Sequence, residues 1–523
     1  MTARMTSVIA AFTLSIGLVT SAGAAELVIA LGADVTSIDP HNNNAAPNNS
    51  IAEQIFNKLI ENDPRQNPKP GLAESWRTVD DLTWEFKLRR GVKFHDGSDF
   101  TAADVAFSIE RPGIINTPGG FTIFTRAIIE KTIVDPYTIR LKTAAPYPNL
   151  PIDMSGLIIV SSKAAKGAIA ADFDSGKATI GTGPWKFVRY TKGDRIELVR
   201  NDNYWGPKPP WEKVTFRLIT SDPSRIAALL AGDVQMIEVV PPADYAKLKT
   251  NKDITIFTTI SNRMIHLHLD SNRDKSPFIT DKAGKPLDRN PFKDARVRKA
   301  FSKAINRNAI VERVMDGLAI PAGQLMPEGF FGVTPNLKPE PFDPEGARKL
   351  LAEAGYPDGF GITLHGPNNR YVNDDQIVQA VAQMLTRVGI ATKVETLPFS
   401  VYVGRANKLE FSAALLGWGV STGEATYPLR SLIATNNPAK GFGTWNWGRY
   451  SNPAMDALLE QGLATVDNAK RDKLLQQATE VVINDTGLIP LHFQVNTWAA
   501  RKGLVYTPRT DERTYAHEVR PAP

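Results

Sequence analysis

Apolar and polar positions alternate through Leu82, Thr83, Trp84, Glu85, Phe86, Lys87 and Leu88, a period of two that predicts a half-buried strand. Residues 185–199 contain two more such runs, WKFVRY and RIELV, around Lys192-Gly193-Asp194, and predict a hairpin. Thr101 stands three residues ahead of Asp104, a capping-box-like start for a short helix that Pro112 ends. The first third therefore reads as mixed α/β with many hairpins, with HNNNAAPNN (41–49) as an Asn-rich loop.

From about residue 290 the pattern becomes strand–helix alternation. Asp294 is placed to cap a helix over KAFSKAI, and a second helical run ends near Gly317. Asp343-Pro344 opens a helix through Leu350 and Leu351 that stops at Gly355, with Pro at the start and Gly at the end. ITLHG, a helix over IVQAVAQML closed by Gly389, and ATKVETL form a strand–helix–strand unit. Helices around 453–464 and 468–484 then precede an apolar strand near LIPLHF.

The N-terminus adds a different signal. Arg4, an uncharged apolar run over 8–19, and the small residues Ala22, Ala24 and Ala25 before Glu26 have the order of a secretory signal peptide, cut after Ala24 or Ala25. The run is shorter than the roughly 20 residues a membrane span requires. The rest of the chain is expected to be soluble, exported to the periplasm and not inserted in a membrane.

Net charge is +6, with both signs scattered and no Lys/Arg block of the kind that tracks phosphates, so no nucleic-acid partner is expected. The absence of cysteine excludes disulfides, thiol catalysis, thiolate metal sites and a lipid-anchoring Cys. A chain of 523 residues exceeds one ordinary core, so two or three lobes are expected.

Four stretches together resemble family 5 of the bacterial extracellular solute-binding proteins, the dipeptide, oligopeptide, nickel and glutathione group. They are LAESWRTVDDLTWEFKLRRGVKFHDGSDFTAADVAFSIER (72–111), GTGPWKFVRYTKGDRIELVRNDNYWG (181–206), KDARVRKAFSKAINRNAIV (293–311) and ARKLLAEAGYPDGF (347–360). The resemblance implies an α/β, two-lobed periplasmic binding protein (type II, cluster C-like) with an extra small domain inserted in lobe one. Carried over, lobe one is 26–68, 178–266 and 490–523, the insert 69–177, and lobe two 267–489. It also implies a monomer without cofactor or catalytic activity. Such a protein closes its hinge on a small peptide-like solute and delivers it to the membrane permease of an ABC importer.

The site follows from the same resemblance. In peptide-binding relatives, an Asp three residues after the Trp of a Gly-Trp pair neutralises the ligand's α-amino group. In LLGWGVSTGEATYPL (415–429) that position, counted from Trp418, holds Ser421, whose hydroxyl carries no charge. Glu424 is the carboxylate expected to serve instead, and Ser421-Thr422-Gly423-Glu424-Ala425 is similar to the glutathione-binding branch. The cleft needs aromatic walls, for which Trp418, Tyr427, Trp445 and Trp447 are candidates. Arg370 and Tyr371, in the loop GPNNRYVND, are placed to take a ligand carboxylate, and His41 with Asn42 to Asn44 to form the rim.

Two other readings stand beside this one. Gly419-Val-Ser421-Thr-Gly423 matches the nucleophile elbow of serine hydrolases, with Asp472 or Asp485 and then His492 in the required order. The elbow needs a helix packed directly behind the Ser, and Pro428 makes a poor start for one. His266 and His268 fall on one face of a strand over MIHLHLD and suggest a metal-complex binder, although no third ligand has recognisable spacing. Phosphate-cradling motifs are missing, so ATP hydrolysis is assigned to a partner.

Overall fold

A computed structural model describes residues 26–523 apart from 116, 118 and 119; the expected signal peptide lies outside the described residues. Two long strands, Ile254–Leu269 and Ile489–Arg501, organise the molecule. They run antiparallel, with register slips between Ile260 and Met264 and between Ile265 and His266. On one side of the pair, Ala413–Gly419 joins Ile254–Leu269, followed by Phe360–Pro367, which pairs parallel with Ile390–Leu397. On the other side lie Met236–Glu238, Glu26–Leu31, Lys213–Leu218, Arg195–Arg200 and Trp185–Thr191. The result is one curled twelve-stranded sheet, with parallel pairings in each half.

Burial changes sharply along the first long strand. Residues 255–260 are half-buried or exposed, whereas Ser261–Leu269 are all buried, so the strand leaves a solvated half and enters a fully packed one. A bulge between these stretches lets one strand serve two differently oriented halves.

Local signals account for the helices. The Asp294 carboxylate accepts from Arg296 N–H ahead of Ala295–Ala304. Asp343 accepts from Gly346 N–H at the start of Pro344–Glu353, and Gly355 closes that helix at φ +90°. Asp374–Arg387 ends before Gly389, at φ +99°. Pro453–Ala464 and Asn468–Asn484 are the two helices expected near the C-terminus. Gly193, at φ +74°, turns the hairpin between Trp185–Thr191 and Arg195–Arg200.

Three expectations are corrected. The helix from Ala102 does not stop at Pro112 but reaches Ile115. Proline has a helical φ; it forfeits its own N–H bond and crowds the carbonyl one turn back, and Arg111 anchors the turn against this with two bonds to Asp39, 2.7 and 2.6 Å. The Asn-rich stretch is not all loop: the helix Ala46–Ile55 begins inside it, with Pro47 in its first turn. Asn48 turns its amide onto the Ser37 carbonyl, 3.0 Å, outside the helix ladder. In the strand Thr83–Leu88, Glu85 is buried against the alternation, because Arg77 (2.8 Å) and Arg140 (2.9 Å) satisfy its carboxylate.

That strand belongs to a separate four-stranded antiparallel sheet, in the order Ala73–Asp80, Thr83–Leu88, Thr138–Thr143, Ile128–Asp135. Its apolar core, which includes Phe86, Phe100, Phe124 and Leu141, is continuous with that around Leu415, Tyr427 and Leu475. The half built on Glu26–Leu31 has its own core around Ile29, Trp185, Phe216 and Trp498. No helix among the described residues is long and apolar enough to cross a membrane.

Candidate functional site

The carboxyl ends of parallel strands converge on one cavity of about 770 Å³. Gly32–Asp34 follow the strand Glu26–Leu31, Thr220–Arg225 follow Lys213–Leu218, and Glu238–Pro242 close Met236–Glu238. Facing them, Asn368–Asp375 follow Phe360–Pro367, and the two long strands contribute Arg263 and Gln494–Trp498. Strand ends are where open α/β sheets place ligands, and the volume suits a small molecule of several residues.

Backbone conformation singles out the same place. Val239, Asn373 and Glu512 all line the cavity, and all have positive φ (56°, 53° and 64°). For Val239, with a branched Cβ, this is a conformational outlier. Strain of this kind persists where surrounding structure enforces it, commonly at ligand clamps.

Six side chains, Arg263, Glu512, Tyr371, Arg370, Asp374 and Glu238, define the electrostatics. Arg263 is held by Glu512 in a two-bond ion pair, Nε–Oε1 2.6 Å and Nη2–Oε2 2.5 Å, and also donates to the Gly417 carbonyl at 3.2 Å. Tyr371 donates to the same carbonyl, 3.1 Å. Arg370 stacks its guanidinium on Tyr371 and Phe399, 5.2 and 5.7 Å from the ring centres. No carboxylate pairs with it among the described residues. Burial and the nearby Arg263 charge lower its proton affinity. The Asp374 carboxylate fixes the loop by accepting from the backbone N–H groups of Arg370 (2.9 Å) and Tyr371 (3.0 Å). Opposite, Glu238 accepts from the Thr514 hydroxyl at 2.6 Å, and burial raises its pKa.

Of the residues singled out by sequence, Arg370 and Tyr371 line this cavity. Trp418, Tyr427, Trp445 and Trp447 form one aromatic cluster, with Trp418 5.2 Å from Tyr427 and 5.5 Å from Trp445, and Trp445 5.7 Å from Trp447. Trp418 is buried, yet its indole Nε1–H has no acceptor among the described residues. Ser421 lies in a small polar space with Asn44, Asn62 and Gln66, and its carbonyl accepts from Gln66 Nε2 at 3.2 Å.

The structure does not bring Glu424 or His41 to the cavity. Glu424 is 2% exposed; it pairs with Arg471 at 2.8 Å and accepts from Asn149 and Thr426. Its carboxylate is consumed by packing between the 144–162 region and the helix Asn468–Asn484. His41 is fully buried, with Nε2 2.7 Å from the Ile158 carbonyl and its ring against Phe121. It is a junction residue, and burial lowers its pKa to about 4.

No hydrolytic triad is assembled. Among the described residues neither ring nitrogen of His492 has a hydrogen-bond partner, while Asp485 binds Arg298 (3.0 Å) and Tyr450 (2.8 Å), and Asp472 binds Gly332 N–H (2.7 Å). Ser421 is followed by a three-residue helix, Thr426–Pro428, and a π-turn rather than a packed helix. The metal reading fares similarly. His266 and His268 are buried with their Nε2 atoms 3.1 Å apart, and His266 Nδ1 faces the Met264 carbonyl at 3.4 Å. One ring donates and the other accepts, a self-satisfied neutral pair. No group of three or more metal-ligating side chains occurs among the described residues.

Arg263, Glu238 and Glu512 are absent from the sequence-level candidates. Arg263 and Glu512 are ordinary charged residues in polar stretches, and Glu238 is a lone carboxylate in the apolar run Met236–Val240.

The profile of the bacterial extracellular solute-binding proteins, family 5 Middle, matches residues 67–440. A glutathione-binding protein, GsiB, of Escherichia coli O1:K1 / APEC is 30% identical over 496 residues, covering 92% of this chain and 91% of its own. Among solved structures, the periplasmic binding protein DppA of Helicobacter pylori, in complex with the peptide STSA, superposes with a TM-score of 0.81 at 25% identity, covering 95% of this chain and 98% of that one. Haemophilus influenzae OppA, complexed with RPPGFSPFR, gives 0.78 at 23% identity, covering 95% and 99%, and is a likeness of fold.

Proposed function

The chain belongs to family 5 of the bacterial extracellular solute-binding proteins, transport proteins rather than enzymes, and we propose that it captures a small peptide or glutathione-like solute in the 770 Å³ cavity. It acts in the periplasm as a monomer, after removal of a signal peptide over 1–25, and delivers its ligand to the permease of an ABC importer. Residues 26–68, 178–266 and 490–523 form lobe one, 69–177 its insert, and 267–489 lobe two.

One observation carries this reading: Arg370 presents a guanidinium without a carboxylate partner to a cavity whose opposite wall comes from the other half of the sheet. A ligand carboxylate supplies the missing charge in a two-bond geometry. Ala46 and Pro47, at the start of a helix without a side-chain cap, border the same space. With Ser421 neutral and Glu424 consumed by Arg471, Asp34, exposed at the cavity edge, and the half-buried Asp375 are the carboxylates that face a ligand ammonium. A ligand bridging both walls favours the closed arrangement, and only that differential affinity drives closure.

The test is Arg370→Met, titrated calorimetrically with glutathione and with di- and tripeptides as free acids and as C-terminal amides. The free acids are expected to bind about 10- to 100-fold more weakly, the value of hydrogen bonds to a charged group, and the amides to change little. Equal weakening of both would remove Arg370 from the ligand's carboxylate.

A further inference from the structure

Arg263 and Arg370 are two guanidinium groups on one aromatic ring. Their central carbons lie 5.6 and 5.2 Å from the centroid of Tyr371, and both side chains line the cavity. Their circumstances differ in one respect. Arg370 is open, whereas Arg263 is closed off by two short bonds to Glu512.

Glu512 reaches Arg263 from 249 positions away, out of the C-terminal segment, and holds a left-handed backbone at φ +64° to do so. Its Oε1 also accepts from Ser261 Oγ at 3.0 Å, which fixes the carboxylate in place. A resident carboxylate thus sits on Arg263 in the geometry a ligand carboxylate would adopt.

We infer that Glu512 is a specificity-determining residue: it occupies the second arm of an Arg370–Tyr371–Arg263 clamp and so admits one ligand carboxylate where the bare clamp would take two. This rests on the cavity being the ligand site. The class it selects is peptide-like solutes anchored by a single carboxylate at Arg370; any second carboxylate of the ligand stays outside the clamp. Both arginines bear on the proton affinity of Glu512, after burial, and hold it ionised. The block is therefore in force throughout the neutral range.

Glu512→Gln keeps the size and hydrogen-bonding of the side chain but frees the Arg263 charge. Affinities of Ala-Ala-Ala and Ala-Glu-Ala are compared in the parent chain, in Glu512→Gln, and in the double variant Arg263→Met/Glu512→Gln. The ratio favouring the acidic tripeptide is expected to rise about tenfold or more in Glu512→Gln, one added charge-assisted bond, and not in the double variant. A ratio that stays put in Glu512→Gln, or rises equally in the double variant, overturns the inference.

A second readout needs no peptide. Succinate is expected to raise the melting temperature of Glu512→Gln by more than that of the parent, and by more than the gain seen with acetate at equal carboxylate concentration, even if the variant is less stable. Equal succinate shifts count against Glu512. Failure of the parent to bind either tripeptide counts against the peptide reading of the cavity, while the succinate comparison still decides the role of Glu512.

Discussion

Lowering the pH from 7 to 5 is expected to cost this protein on the order of 5 kcal/mol of unfolding free energy through His41, His266 and His492 alone. All seven histidines of the chain have their pKa lowered, in each case chiefly by burial. Four of them, His41, His266, His268 and His492, are at most 2% exposed and form no ion pair. The unfolded chain binds a proton at each near pH 6.5, whereas folded His41 and His266 wait until about 4 and His492 until about 3. Between those limits the unfolded state holds more protons, so stability falls as pH falls, by about 1.4 kcal/mol per proton per unit. Asp153 opposes this: burial raises its pKa to about 6, so the folded state gains a proton there first and stability rises as pH drops toward 4. Glu238, Asp374 and Glu518, whose pKa burial also raises, act in the same direction as Asp153, and the seven lowered histidines outweigh them. Urea midpoints at pH 7, 6 and 5 measure the effect, and His492→Leu should flatten the curve by one proton's worth. A midpoint indifferent to pH would mean that the histidines are hydrated or paired.

Arg471→Met is expected to lower stability by about 3–5 kcal/mol, the cost of leaving a buried carboxylate without its cation. Arg471 is 4% exposed; it donates to Glu424 and to Asn149 at 2.8 Å each and stacks on Phe331 at 4.3 Å. Its loss strands Glu424 with two neutral partners, Asn149 and Thr426. Pairing it with Glu424→Gln removes the charge and should return much of the loss. The urea midpoint is expected to move without a change in slope. The same experiment separates packing from recognition. If Glu424 met a ligand ammonium, Glu424→Gln would weaken amine-bearing ligands selectively; here both amine-bearing and amine-free ligands should change by one common factor.

What was legible in the chain follows from how far each determinant lies from its partner. Asp294, Asp343 and the glycines at 355 and 389 act within a few residues, so the helices they bound were readable, as was the strand–helix–strand unit over 360–397. Arg370 and Tyr371 were found because a loop between a strand and a helix is a local feature. Each long strand was readable only in its apolar half, over MIHLHLD and LIPLHF, since Thr258–Arg263 and Gln494–Thr497 are mostly polar where they cross between halves and give no period. Glu424 looked like an open carboxylate because Arg471 is 47 positions away and Asn149 is 275. Glu85 looked solvated because its two arginines come from neighbouring strands. Arg263 and Glu512 meet only through the fold.

The claim at the centre is that a peptide-like solute bearing a carboxylate is held at Arg370 between the two halves of the sheet. Native mass spectrometry of protein purified without denaturation tests it most directly, by weighing whatever co-purifies with the parent chain and with Arg370→Met. An added mass matching glutathione or a short peptide is expected on the parent, and its loss from the variant. A sugar or a metal ion on the parent, or the same peptide retained equally by the variant, would contradict it.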